Sequence, residues 1–176
     1  MEIMWSPWRS KYIETFKADN NEGSKNEECI FCNAINAHNS DAEYFVVARK
    51  EHCIIMLNKY PYNNGHLMIA PYRHIGEFDA LTEIEMLEIM KLINETIKIL
   101  KKVCGPHAFN IGVNLGREAG AGVPGHIHFH VVPRWNGDTS FMPVLADVKI
   151  VSQSMDENYK AISEAFRIEA DSSSLR

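Results

Sequence analysis

Imidazoles and bulky apolar side chains alternate one for one along Gly125-His126-Ile127-His128-Phe129-His130-Val131-Val132-Pro133-Arg134. Such period-two alternation belongs to a β-strand, whose successive side chains point to opposite faces. His126, His128 and His130 then share one face, and Ile127, Phe129 and Val131 share the other. A strand over residues 126–133 built this way needs an apolar layer behind it, which commits the chain to a sheet with a core on one side. Thr, Lys or Glu would serve a merely solvated face equally well, so three histidines there point to chemistry. A single-metal centre made from all three rings meets a geometric obstacle, because side chains four residues apart on an extended strand start about 13 Å apart.

The flanking sequence predicts the rest of that sheet. Residues 45–48 and 52–57 are β-rich, with Arg49-Lys50-Glu51 between them as a hairpin turn. Residues 58–65 carry loop chemistry in Pro61, Asn63, Asn64 and Gly65, and the apolar run 66–70 ends at Pro71. Thr82-Glu83-Ile84-Glu85 matches a capping box, and Ile84, Leu87, Met90, Ile93, Ile97 and Leu100 follow at helical spacing. That helix ends near Cys104-Gly105-Pro106, with Lys98, Lys101 and Lys102 at its negative end. A strand follows over 109–115, and a last helix over 158–170. Short strands around one long helix predict an α+β architecture, not a doubly wound sheet: an antiparallel meander of about five strands, one long helix and a C-terminal helix. Three segments are expected: an arm and loop (1–28), a central domain (29–141) and a C-terminal extension with a helix (142–176). The arm holds Trp5, Pro7, Trp8 and Tyr12, too aromatic for a solvated tail.

Composition excludes several classes. The formal net charge is -5 and no Lys/Arg-rich face is evident, which argues against a nucleic-acid partner. No run approaches about 18 consecutive apolar residues, so no membrane span is expected. The N-terminus lacks the apolar stretch of a signal peptide. Four cysteines in such a chain suggest reduced thiols or a metal site, and a cytoplasmic location.

A neutral imidazole is nucleophilic toward phosphorus near pH 7, and the middle position, His128, is the best enclosed on the strand. Its far nitrogen is free to donate to a backbone carbonyl, fixing the reactive tautomer. His130 then lies within reach of a departing or phosphoryl oxygen. The preceding loop, residues 114–125, is glycine-rich, and Gly120 and Gly122 allow backbone N–H groups to approach an anion closely.

His126-x-His128-x-His130 followed by two apolar residues resembles the signature of the histidine triad (HIT) superfamily, over roughly residues 29–141. Leu57-Asn58-Lys59-Tyr60-Pro61 with Asn64-Gly65-His66 looks like its ribose-binding segment, and Asn114-x-Gly116 like its phosphate-side motif. Trp5-Ser6-Pro7-Trp8-Arg9 and Val132-Pro133-Arg134-Trp135-Asn136-Gly137-Asp138 resemble the diadenosine tetraphosphate phosphorylase branch. The resemblance implies a HIT-like fold and a nucleotidyl-transfer enzyme. His128 would be the nucleophile and His130 a phosphate or leaving-group contact. Asn58 would sit on the ribose hydroxyls and Asn114 near the α-phosphate, with adenine as the favoured base. Two departures stand out. Ala121-Gly122 replaces the Gln-Ser/Thr of many relatives, leaving phosphate contacts there to backbone. Ser140 stands where the branch usually has Asn, keeping a donor and an acceptor on a shorter arm.

Cys29-Ile30-Phe31-Cys32 is a C-x₂-C knuckle, which on spacing alone is a metal, redox or purely structural pair. The resemblance to zinc-bearing triad proteins implies a structural zinc held by Cys29, Cys32, His74 and His126. No catalytic cofactor is implied. Rival readings are a phosphoramidate or aminoacyl-adenylate hydrolase of the same fold, a nucleotide-binding module without turnover, and a zinc-dependent hydrolase. Met86, Ile89 and Leu92 widen the helix stripe beyond one sheet's needs, which predicts a homodimer joined through helices and edge strands.

Overall fold

A computed structural model describes residues 29–138 and 152–174. The aromatic arm and Ser140 lie outside them. Five strands form one antiparallel sheet: β1 (Val46–Arg49), β2 (Cys53–Leu57), β3 (Leu67–Pro71), β4 (Ala108–Val113) and β5 (Phe129–Arg134). Their order is β1-β2-β3-β5-β4. The first three strands are a meander. The long helix α2 (Glu83–Cys104) then carries the chain to the far edge as β4, and β5 returns between β4 and β3. The triad strand is therefore central, hydrogen-bonded on both sides.

Both faces of the sheet are covered, which explains why β2 and β3 are buried along their whole length. On one face Cys53, Ile55, Leu57, Leu67, Ile69, Ile127 and Val131 pack with α2 and with α3 (Met155–Ser174) through Ile89, Leu92, Leu100, Ile162 and Phe166. On the other, Ile54, Met56, Met68 and Ala70 meet Phe31 and Ala34 of the short helix α1 (Ile30–Asn36). The histidines occupy this second face, under α1 rather than toward solvent: His126, His128 and His130 are all buried.

Three expectations shift. The regular ladder of β5 starts at Phe129, not at 126, since Ile69↔Phe129 is its last pair with β3 and Pro71, two residues on, has no N–H to give. His126 to His128 run on beyond it, held by Ile127 N–H to the Ile75 carbonyl (2.6 Å). On α2 the first half of the apolar line is turned outward. Ile84, Leu87 and Met90 are exposed, whereas Ile89, Leu92, Ile93, Thr96, Ile99 and Leu100 face the core. Both rows satisfy a 3.6-residue period, and packing against the sheet selects the second. Finally α3 starts at Met155, not 158, because Ser154 and Glu157 form a second capping box. The capping box of α2 forms as expected, and Gly105 ends that helix in the left-handed region (φ 54°). Among the described residues no helix is long and apolar enough to cross a membrane.

Candidate active site

Each triad histidine has its protonation pattern set by a fixed partner. A carbonyl oxygen only accepts, so the nitrogen that meets one carries the proton. His126 donates from Nε2 to the Pro71 carbonyl (2.9 Å), leaving the Nδ1 lone pair toward the sulfurs of Cys29 and Cys32. His128 donates from Nδ1 to the carbonyl of His126 (2.8 Å), leaving the Nε2 lone pair. His130 is oriented by His66, which sits two residues before its cross-strand partner Met68. The Tyr62 N–H donates to His66 Nδ1 (3.0 Å), so His66 carries its proton on Nε2 and donates to His130 Nδ1 at 2.9 Å. His130 then bears its own proton on Nε2, a buried nitrogen with no partner among the described residues.

Burial holds these rings neutral. It pushes the imidazolium of His126 and that of His130 down to about 4, and that of His128 below its ordinary value, against the opposing pull of the His126 carbonyl. Phe31 covers the rings of His126 and His128 at 5.0 and 4.8 Å between centroids.

His128 and His130 open into a cavity of about 580 Å³, which Asn58, Gly120 and Gly122 also line. Met68, Phe31 and Tyr62 supply apolar wall, and Arg117 and Tyr60 stand at exposed positions of it. Four of the predicted nucleotide contacts fall within the described residues, and three of them line this cavity with the histidines. The fourth, Asn114, does not line it. Its amide donates to the Gly120 carbonyl (3.3 Å) and so braces the glycine loop. At Gly120 the backbone takes φ 93°, a conformation that favours glycine and lets the loop turn back toward His128. A larger cavity of about 780 Å³ lies elsewhere, beside Asn63, Cys104, Trp135 and Gln153, and contains none of the triad.

The Cys and His candidates for a metal also converge. Cys29 Sγ is 3.3 Å from His126 Nδ1, and Cys32 Sγ is 3.2 Å from His74 Nδ1 and 3.7 Å from His126 Nδ1. All four ligand atoms lie within 4.8 Å of one another. A tetrahedral zinc with ordinary Zn–S and Zn–N bonds requires ligand atoms about 3.3–3.8 Å apart, so the donor set fits. The hydrogen bond of His126 to Pro71 fixes which nitrogen would face a metal held there. The loop bearing His74 approaches the triad strand closely: a Cβ on Gly76 would stand 2.6 Å from the Pro124 carbonyl oxygen. By contrast His38 and His107 are exposed, and the Cys53 thiol is sealed in the core.

The sequence placed His66 only within the ribose-binding-like segment and Arg117 only within the glycine-rich loop, and gave neither a role of its own. A signal for His66 was present, since His66, Met68 and Ala70 alternate on one face like the triad. Arg117 carried no periodic signal, being one residue of an irregular loop.

The HIT domain family matches residues 39–137. An AP-4-A phosphorylase of Mycobacterium tuberculosis is 36% identical over 163 residues, 93% of this chain and 83% of that protein. A bis(5'-nucleosyl)-tetraphosphatase (asymmetrical) of Schizosaccharomyces pombe is 32% identical over 48% of this chain and 46% of its own length. Among solved structures, a Zn-bound histidine triad family protein from Mycobacterium smegmatis superposes with a TM-score of 0.65 at 22% identity, covering 83% of this chain and 97% of that one. A central triad strand, a glycine loop folded over it and this extent of similarity lead to one assignment: the chain belongs to the HIT domain family.

Proposed function

We propose that this protein cleaves dinucleoside polyphosphates of the diadenosine tetraphosphate type at the α-phosphorus, through a covalent AMP–His128 intermediate. The observation that carries the reading is the His128 Nδ1–H bond to the His126 carbonyl, which leaves a neutral Nε2 lone pair inside the cavity. In the first step Nε2 of His128 attacks the α-phosphorus, the phosphorus–oxygen bond to the leaving nucleotide breaks, and ATP departs. His130, with its unpartnered Nε2–H, donates to the departing or a phosphoryl oxygen. Water or inorganic phosphate then attacks the same phosphorus, the P–N bond breaks, and its electron pair returns to His128. The backbone N–H of Gly122 meets the charge that develops on the phosphoryl oxygens; the Gly120 N–H is spent on the Arg117 carbonyl, so Gly120 shapes the loop, with Asn114 holding it in place and Asn58 at the ribose. Ser140 would contribute at the acceptor side. The names of the M. tuberculosis and S. pombe relatives support the substrate class.

The same reading includes a structural zinc on Cys29, Cys32, His74 and His126. It would bind with a closed shell of four ligands and tie α1 and the His74 loop to the triad strand. It further includes a homodimer, supported by β4 as an unpaired sheet edge among the described residues, with Ile111 exposed, and by the outward stripe Ile84, Leu87 and Met90 on α2. A cytoplasmic site of action accords with four free cysteines.

The test is product identity from diadenosine tetraphosphate. Cleavage at the α-phosphorus yields ATP together with AMP, or with ADP when phosphate is present. His128→Ala should lower turnover by roughly four powers of ten or more while nucleotide binding persists. Symmetrical cleavage to two ADP without phosphate, or an alanine variant with near-parental turnover, refutes the covalent α-phosphorus mechanism.

A further inference from the structure

The cavity around His128 is lined by one arginine that holds no carboxylate among the described residues. Arg49, Arg73, Arg134 and Arg167 each hold a carboxylate, on Asp41, Glu85, Asp138 and Glu164 respectively. Arg117 holds none among the described residues, although Glu118 is its chain neighbour and lies toward Gly116 instead. Of the described residues lining the cavity, Arg117 is the one permanent cation, and no carboxylate is among them. The backbone of Arg117 is nevertheless held. Its carbonyl accepts the Gly120 N–H (2.8 Å), the Gly116 carbonyl accepts the Ala121 N–H (3.1 Å), and Asn114 pins Gly120 from the other side. Arg117 thus lines, from a braced turn, the same cavity as His130, whose Nε2–H has no partner among the described residues. Both observations call for an anionic ligand beyond the α-phosphate.

Resting on the α-phosphorus reading above, we infer that Arg117 is the specificity-determining residue for the phosphate that leaves and the phosphate that enters. A double displacement through His128 imposes this coincidence. The leaving oxygen departs from the side of phosphorus opposite Nε2, and the acceptor attacks from that same side. One subsite therefore holds first the terminal phosphate of departing ATP, which was the β-phosphate of the substrate, and then inorganic phosphate. A guanidinium binds a phosphate bidentately and aligns its oxygen for attack, whereas water gains little from such an anchor. With phosphate bound, an oxygen of phosphate bonds to the α-phosphorus, the P–N bond breaks and ADP forms. With the subsite empty, water attacks and AMP forms. Arg117 decides the ratio.

The experiment measures ADP and AMP together from diadenosine tetraphosphate across a titration of inorganic phosphate, for the parent, Arg117→Gln and Arg117→Lys. The ratio is independent of how much enzyme is folded, so a structural loss does not imitate the effect. The parent should give ADP increasingly as phosphate rises. Arg117→Gln should shift the ADP:AMP ratio toward AMP by roughly 10- to 100-fold at equal phosphate, the loss of a charge-assisted contact, and Arg117→Lys should restore part of it. An unchanged ratio in Arg117→Gln overturns the assignment. A parent that forms only AMP at every phosphate concentration also overturns it, while leaving cleavage at the α-phosphorus intact. A parent that does not cleave the substrate overturns the functional reading, and this inference with it.

Discussion

Replacing Glu85 by Gln removes a charge without removing volume, and the structure lets its cost be worked out. The carboxylate is 6% exposed and accepts from Arg73 Nε (2.7 Å) and Nη2 (2.5 Å), and from the Thr82 N–H (2.8 Å) and hydroxyl (2.9 Å). A carboxamide puts an NH₂ where one of these oxygens now accepts, so at least one donor would face a donor. Hydrogen bonds to a charged group contribute about 1.5–3 kcal/mol. The Arg73 side chain is 48% exposed, so solvent screens its share, and about 1.5–2 kcal/mol remains. At about 2–4 °C per kcal/mol for a domain of this size, Tm should fall by roughly 3–8 °C. The pH dependence is distinctive. The Arg73 guanidinium first, and then Thr82, hold the Glu85 carboxyl down to about 2, against 4.5 for an unperturbed one. A carboxyl depressed on folding stabilises fully above its unfolded value, and that stability is lost as pH falls through the folded value. The Tm gap between parent and Glu85→Gln should therefore be complete near neutral pH and close as pH drops from 4.5 toward 2. Thermal unfolding followed by circular dichroism reads both. Equal Tm values near neutral pH, or a gap that persists undiminished to the acid end, would refute the reasoning.

Thr96→Val should raise stability by about 1 kcal/mol, since the Thr96 hydroxyl is fully buried with no partner among the described residues; a lower Tm in the variant rejects this. Metal analysis should find about one zinc per chain, and chelation should lower Tm and broaden the ¹⁵N signature of the His128 tautomer, because His126 would face the proposed zinc and its carbonyl accepts the His128 N–H. A Cys29→Ser/Cys32→Ser double variant as heat-stable as the parent, with no metal in either, removes the site. Light scattering at micromolar concentration should give twice the 20.0 kDa chain mass, and Leu87→Glu on the exposed stripe should shift it toward the monomer; a parent mass near one chain rejects the dimer.

Periodicity and capping are local properties, and they alone were enough to read the triad face, the α2 capping box, the glycine loop and the C-x₂-C knuckle. Each depends on residues a few positions apart, within reach of strand alternation or one helical turn. Tertiary structure decided what those features meet. Cys29 and His126 are 97 residues apart, and Cys32 and His74 are 42 apart, so only the folding of α1 onto the sheet brings these four side chains together. His66 reaches His130 because β3 and β5 pair with Met68 opposite His130; a one-residue slip would send the ring to the other face. The same holds for α2, where two rows of apolar residues fit one helical period and contact with the sheet turned Ile84, Leu87 and Met90 outward. Arg117 is the limiting case: an arginine in a loop looks like any solvated cation until the fold sets it on a cavity with no carboxylate among its described lining residues. Pairing register, face selection and the closing of a cavity depend on contacts between distant segments, and no window of sequence contains both partners.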